Sequence, residues 1–133
     1  MITRITHVTL LVRDQDEALR FYTEKLGFEV ATDMSMPDCG MRWLTVRPKG
    51  QTGLELTLMP ADTPEKQAAV GKQAGGHLLF VVATDDCQKE YERLKAAGVK
   101  VAAPPKEQPW GIETQFEDLY GNGFDLLQPA HMG

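Results

Sequence analysis

Cysteine is scarce in this chain of 133 residues. Cys39 and Cys87 stand apart, with no Cys-x-x-Cys pair or other zinc spacing. That argues against a disulfide scaffold or a thiolate zinc site, and it makes a reduced, cytoplasmic protein the expectation. No run of about 18 apolar residues occurs and no signal-peptide core follows Met1, so no membrane partner is expected. Lysine and arginine do not cluster and the net charge is −5, which argues against a nucleic-acid partner or an anionic membrane surface. What remains is an ordinary globular composition, 42% hydrophobic and 25% charged, enough for one domain or for two half-domains around a shared core.

Two spacings organise what is present. His7 and His77 lie 70 positions apart, and so do Glu55 and Asp125. Residues 5–12 (ITHVTLLV) read as a buried strand. Alternation puts His7, Thr9 and Leu11 on a face toward a cavity, and Val8, Leu10 and Val12 on a face toward helix. Asp14 and Glu17 have capping-box spacing for a helix carrying Ala18, Leu19, Phe21, Tyr22 and Leu26, which ends at Gly27. Residues 28–32 form a short strand. Residues 34–40, with Pro37 and Gly40, read as a loop, and 34–39 is a candidate lid. Strands follow at 41–46 and 54–59. In the second of these, Leu54, Leu56 and Leu58 share a face and leave Glu55, Thr57 and Met59 on the other. A carboxylate among leucines needs a partner.

After a linker at 60–76 with one short helix, the pattern restarts. Residues 77–83 (HLLFVVA) align with 7–13 at the offset of 70. Asp85 and Gln88 have capping-box spacing, and Cys87, Tyr91 and Leu94 form the apolar stripe of a helix that stops at Gly98. Residues 99–102 are a strand, Pro104-Pro105 opens a loop to Trp110-Gly111, and 112–116 is a strand. Gly121-Asn122-Gly123 predicts a tight type I′ turn into a last strand at 124–128. Each copy reads β-α-β-β-β. The predicted fold is α+β: two tandem βαβββ modules, 1–59 and 77–133, whose curved mixed sheets enclose a central cavity. One such module cannot cover its own sheet, so the two complete one domain.

Two imidazoles and two carboxylates suit a divalent Fe, Co, Ni, Mn or Zn ion. Four protein ligands in a six-coordinate shell leave room for substrate. Singly, each residue has a plainer reading: His7 a satisfied core histidine, Glu55 a strand-edge carboxylate, His77 a strand start, Asp125 the exposed side of a hairpin. One metal site accounts for all four together. Thr9, Leu11, Thr57, Met59 and Leu79 share faces with these residues. With Met41, Trp43 and Trp110 they would line a mostly apolar cavity with a polar floor. Trp43 also suits plain core packing, Trp110 suits the cap of a pocket, and Tyr120 is placed to hydrogen-bond a substrate. The two cysteines read as inert.

Five stretches carry a resemblance: ITHVTLLVRD around His7, FYTEKLGFEV after the first helix, LELTL around Glu55, GGHLLFVV around His77, and FEDLYGNGFDLLQP around Asp125. Over almost its whole length the chain resembles the vicinal oxygen chelate superfamily of glyoxalase I, extradiol dioxygenases, fosfomycin-resistance enzymes and bleomycin-resistance proteins. The resemblance implies that His7, Glu55, His77 and Asp125 occupy the four metal-ligand positions of bacterial-type glyoxalase I, and that the protein is a homodimer. Three positions depart from that pattern. The last ligand is usually glutamate, and Asp125 is shorter by about one C–C bond, ~1.5 Å. Leu11 and Met59 stand where the family carries an arginine and an asparagine toward glutathione.

The expected function is therefore a glyoxalase-like metalloprotein that chelates vicinal oxygens of a small-molecule substrate. Glu55 or Asp125 would be the proton-transferring catalytic group in isomerase or lyase chemistry. One rival is an extradiol dioxygenase with Fe²⁺ on His7, His77 and one carboxylate, revealed by oxygen uptake. The other is a metal-free binding protein that sequesters a drug, as bleomycin-binding members do.

Overall fold

The computed structural model describes residues 1–130. Its fold is α+β, with two mixed sheets of four and five strands and few helices. Chain contacts divide it into two compact units, one covering Met1–Val70 and one beginning at Gly71. No helix among the described residues is long and apolar enough to cross a membrane.

In the first unit, β1 (His7–Val12) buries Leu10 and Val12 completely, as the alternation predicts. Helix α1 (Gln15–Arg20) is capped by the Asp14 side chain, which accepts from the Glu17 amide at 2.9 Å. It continues into a π-helical turn at Phe21–Lys25, which buries Tyr22 edge-on against Phe28. Gly27, at φ 76°, ends the segment. Strands β2 (Phe28–Met36), β3 (Met41–Pro48) and β4 (Glu55–Pro60) complete the sheet. The strand order is β1-β4-β3-β2, with β1 and β4 parallel. Helix α2 (Pro64–Ala69), inside the 60–76 segment, is capped by Thr63 and packs with β1 in this unit.

One expectation here is corrected. Residues 34–36 are strand, not lid, and the loop shrinks to the turn at 37–40. Arg42 accounts for this: its guanidinium donates twice to Asp33 across the ladder at 2.9 Å, and once to Asp16 at 2.7 Å. A fork of charge-assisted bonds holds the hairpin paired to its tip.

The second unit contains β5 (Leu78–Ala83), α3 (Cys87–Ala96), β6 (Lys100–Val101), β7 (Lys106–Gln108), β8 (Gly111–Glu117) and β9 (Gly123–Pro129). The order is β5-β9-β8-β6, and β7 also pairs with β8. The predicted helix stripe holds, with Cys87, Tyr91 and Leu94 buried, and Gly98 at φ 86° ends it. Phe80, Phe116 and Phe124 pack together on the same side of the sheet.

Four details differ from the sequence reading. The helix cap is Asp86, which accepts from the Lys89 amide at 3.0 Å, and not Asp85. The loop at 104–111 contains β7, which makes this unit β-α-β-β-β-β. The link between β8 and β9 is not a type I′ turn, since Asn122 has no positive φ. It is a loop built on buried Asp118, whose carboxylate accepts from the Tyr120 amide, the Asn122 amide and the Asn122 side chain at 2.8–2.9 Å. An Asx-type bond to the backbone replaced the Asn-Gly preference. Finally, His77 precedes β5 and lies in a bend, where its amide donates to Ala74 O at 3.2 Å.

Candidate functional site

The parallel ladder of β1 and β4 places His7 directly opposite Glu55, Thr9 opposite Thr57, and Leu11 opposite Met59. Antiparallel pairing of β3 sets Thr45 beside Thr57 and brings Trp43 onto the same face. Alternation keeps these side chains away from the Leu10, Val12, Leu56 and Leu58 layer.

On that face His7 Nε2 is 3.5 Å from Glu55 Oε1, and the Thr45 hydroxyl donates to the same oxygen at 2.7 Å. His7 Nδ1 lies 2.9 Å from Thr6 Oγ1, and the imidazole meets the Trp43 ring edge at 5.7 Å between centroids. His7 is exposed, Trp43 and Glu55 are half-buried, and Thr45 and Thr57 are buried. The Thr57 hydroxyl oxygen is buried without a hydrogen-bond partner. That leaves an acceptor carboxylate, an aromatic edge and an unsatisfied hydroxyl on one face. Thr45 was not singled out in the sequence, although alternation along residues 41–46 would have placed it beside Trp43.

The second unit does not repeat this arrangement. Leu78 pairs with Gly123 and a register shift follows, so Asp125 sits opposite Val81 on one side and Gln115 on the other. His77 therefore has no ladder pairing with Asp125. It lines an open cleft of about 600 Å³ together with Leu78, Lys100, Gln115, Glu117 and Asn122. Asp125 is 6% exposed, and its Oδ1 is buried with no hydrogen-bond partner. Burial, then the neighbouring Glu113 carboxyl, push its pKa up to about 6. Glu113, like Thr45, is a site neighbour that strand pairing reveals. It lies two positions along β8 from Gln115, on the face that Asp125 shares.

The remaining pocket candidates in this unit are dispersed. Trp110 is 56% exposed beside the turn between β7 and β8, with its carbonyl accepting from the Ala130 amide. Tyr120 lies in the Asp118 loop, its carbonyl packed against Gly71. Cys87 is buried beneath β9, its thiol donating to Leu126 O at 3.6 Å, and burial raises its pKa. Cys39 is exposed. Among the described residues, no three His, Cys, Asp or Glu side chains converge as a metal site requires. The described side chains thus supply the His7–Glu55 pair of donors, which does not by itself fit a divalent ion.

The tandem mixed sheets agree with a match to the family model of the Glyoxalase/Bleomycin resistance protein/Dioxygenase superfamily, which covers residues 4–126. The chain belongs to this superfamily. Within it, an uncharacterized protein of Shewanella frigidimarina is 43% identical over 93% of this chain and 92% of its own length. The crystal structure of UcmS2 matches with a TM-score of 0.82 and 39% identity, over 96% of this chain and 98% of that one. The crystal structure of TnmS3, an antibiotic binding protein from Streptomyces sp. CB03234, matches with a TM-score of 0.77 and 33% identity, over 97% and 98%. Superfamily relatives with enzyme names include a 2-epi-5-epi-valiolone epimerase of an Actinomyces species at 27% identity, a putative ring-cleaving dioxygenase of Bacillus subtilis at 33% and a probable lactoylglutathione lyase of Arabidopsis thaliana at 30%. The superfamily thus contains both binding proteins and enzymes.

Proposed function

We propose that this superfamily member is a small-molecule binding protein that holds its ligand against the open face of the first sheet. One observation carries the reading: the Glu55 carboxylate, contacted by His7 and Thr45, lies on the same face as the half-buried Trp43 ring. An acceptor and an aromatic surface side by side suit a planar, partly apolar molecule that carries an amino or hydroxyl donor. Thr9, Leu11, Thr57 and Met59 surround that position on β1 and β4. A net charge of −5 favours a cationic ligand. Likeness to an antibiotic binding protein over nearly the whole chain supports the same class.

Tryptophan fluorescence tests it, because the chain has two tryptophans, Trp43 and Trp110. A panel of aromatic antibiotics and aromatic amines should yield at least one compound that quenches saturably. The quenching should vanish in Trp43→Phe and persist in Trp110→Phe. Quenching that follows Trp110, or none from any compound, overturns the assignment.

A metal-dependent isomerase or lyase is the second reading, favoured by the direct pairing of His7 with Glu55 and by the relatives with enzyme names. In it His7, Glu55, His77 and Asp125 hold the divalent ion, and Asp125, whose carboxyl takes a proton more readily than usual, is the proton-transfer group. Within the first unit, His7 and Glu55 are brought together. Stoichiometric metal in the purified protein, with turnover of a glutathione hemithioacetal, would favour this reading over simple binding. Oxygen uptake with catechols would point to a dioxygenase instead. Light scattering tests the homodimer that either reading carries.

A further inference from the structure

The β2–β3 hairpin carries its sulfur on one face. Met36 pairs directly with Met41, and Met34, two residues back along β2, pairs with Trp43. Opposite residues in an antiparallel ladder share a face, and so do residues two apart on one strand, so all three thioethers belong to the same side. They are 55%, 38% and 42% exposed for Met34, Met36 and Met41. Cys39, a free and exposed thiol, sits in the turn between them. Three half-exposed methionines contribute little to a core, and methionine is not among the residues enriched in strands. Packing within the chain therefore does not account for them.

The opposite side of the hairpin is chemically distinct. Asp33, Ser35 and Arg42 occupy it, and Arg42 ties the hairpin to Asp16 of the first helix. That bracing fixes the strand pairing beneath the sulfur atoms. The turn itself is closed by the Gly40 amide donating to Met36 O at 2.9 Å, with Gly40 at φ 66°. Three thioethers on one face of a braced hairpin, with a thiol in its turn, are a soft donor set, and thioether and thiolate sulfur select copper(I) among the common biological metals. The Trp43 ring beside Met34 adds a π face that attracts a cation.

We propose that the β2–β3 hairpin binds copper(I) through the thioether sulfurs of Met34, Met36 and Met41 and the sulfur of Cys39. This site is separate in chemistry from the His7–Glu55 pair, whose nitrogen and oxygen donors suit harder ions.

The test is an anaerobic titration of the reduced full-length chain with copper(I) in competition with a chromophoric copper(I) chelator, read by chelator absorbance and by Trp43 emission. One copper ion per chain should leave the chelator and change Trp43 emission, while zinc should not displace it. Met34→Leu/Met36→Leu/Met41→Leu keeps size and apolarity, and should weaken binding at least about tenfold. Cys39→Ser should weaken it less than the triple change. Failure of the wild-type chain to take copper(I) from the chelator overturns the proposal, as does wild-type affinity in the triple variant. If circular dichroism shows that the triple variant does not fold, Met36→Leu alone decides. It must weaken binding, and unchanged affinity overturns the proposal.

Discussion

His7 and Glu55 face each other directly across the parallel β1–β4 ladder, Nε2 to Oε1 at 3.5 Å. The residues 70 positions later, His77 and Asp125, do not: Asp125 lies opposite Val81 and beside Glu113. Equal spacing in sequence yields a pair in one unit and two separate environments in the other. The first unit therefore holds a ready donor–acceptor pair, and the second holds a perturbed carboxyl and an open cleft.

Glu55 is the anionic acceptor of the open face. Glu55→Gln keeps the shape and removes the charge, so affinity for a cationic aromatic ligand should fall about tenfold, or about 1.4 kcal/mol. Folding stability should change by less than about 1 kcal/mol, since the His7–Glu55 pair is partly solvated. Calorimetric titration alongside a melting curve separates the two effects. Equal loss of binding and stability would remove Glu55 from the ligand site.

Thr57 buries a hydroxyl oxygen with no partner. An unsatisfied buried polar group is costly, whereas the isosteric apolar replacement leaves nothing unpaired. Thr57→Val should be neutral or stabilising by up to about 1 kcal/mol in urea denaturation. Clear destabilisation would show that the hydroxyl is satisfied in solution.

Asp125 provides the pH dependence. Its folded pKa, about 6, lies above the ordinary 3.8, so the folded chain holds the proton longer than the unfolded chain does. Its contribution to stability is fully present below pH 3.8 and is lost as pH rises toward 6. Asp125→Asn removes this titration. At pH 7 the variant should be more stable than wild type by about 1–3 kcal/mol, with the difference shrinking toward pH 4. Glu29, Asp33 and Asp62 act in the opposite direction, because Arg47, Arg42 and Lys66 hold their carboxyls below the usual range. Stability profiles of wild type and Asp125→Asn over pH 4–7 isolate what Asp125 contributes. Parallel profiles would refute it.

Asp118 organises the loop between β8 and β9. Asp118→Ala leaves the buried Asn122 side chain and two backbone amides without their acceptor, and should cost about 3 kcal/mol or more. Asp118→Asn keeps an acceptor oxygen and should cost less. Denaturant midpoints of the two variants test the order.

The two βα beginnings, the strand faces and the helix stripes were legible in the sequence, because they rest on local periodicity: alternation along 7–12 and 55–59, and Cys87, Tyr91 and Leu94 along one helix. The family was legible for the same reason, since its motifs are contiguous stretches. Register was not. Whether a histidine on one strand meets a carboxylate on another depends on strand pairing between distant segments, and the β5–β9 register, with Leu78 opposite Gly123 and Val81 opposite Asp125, leaves His77 unpaired with Asp125. The extent of the β2–β3 hairpin depended on Arg42 reaching Asp33 and Asp16, and the last loop depended on Asp118 reaching its own backbone. The sequence by itself determined the elements and the chemistry available on each. Tertiary structure alone decided which of those groups meet, because ladder pairing and long side-chain bonds act between residues whose separation carries no local signal.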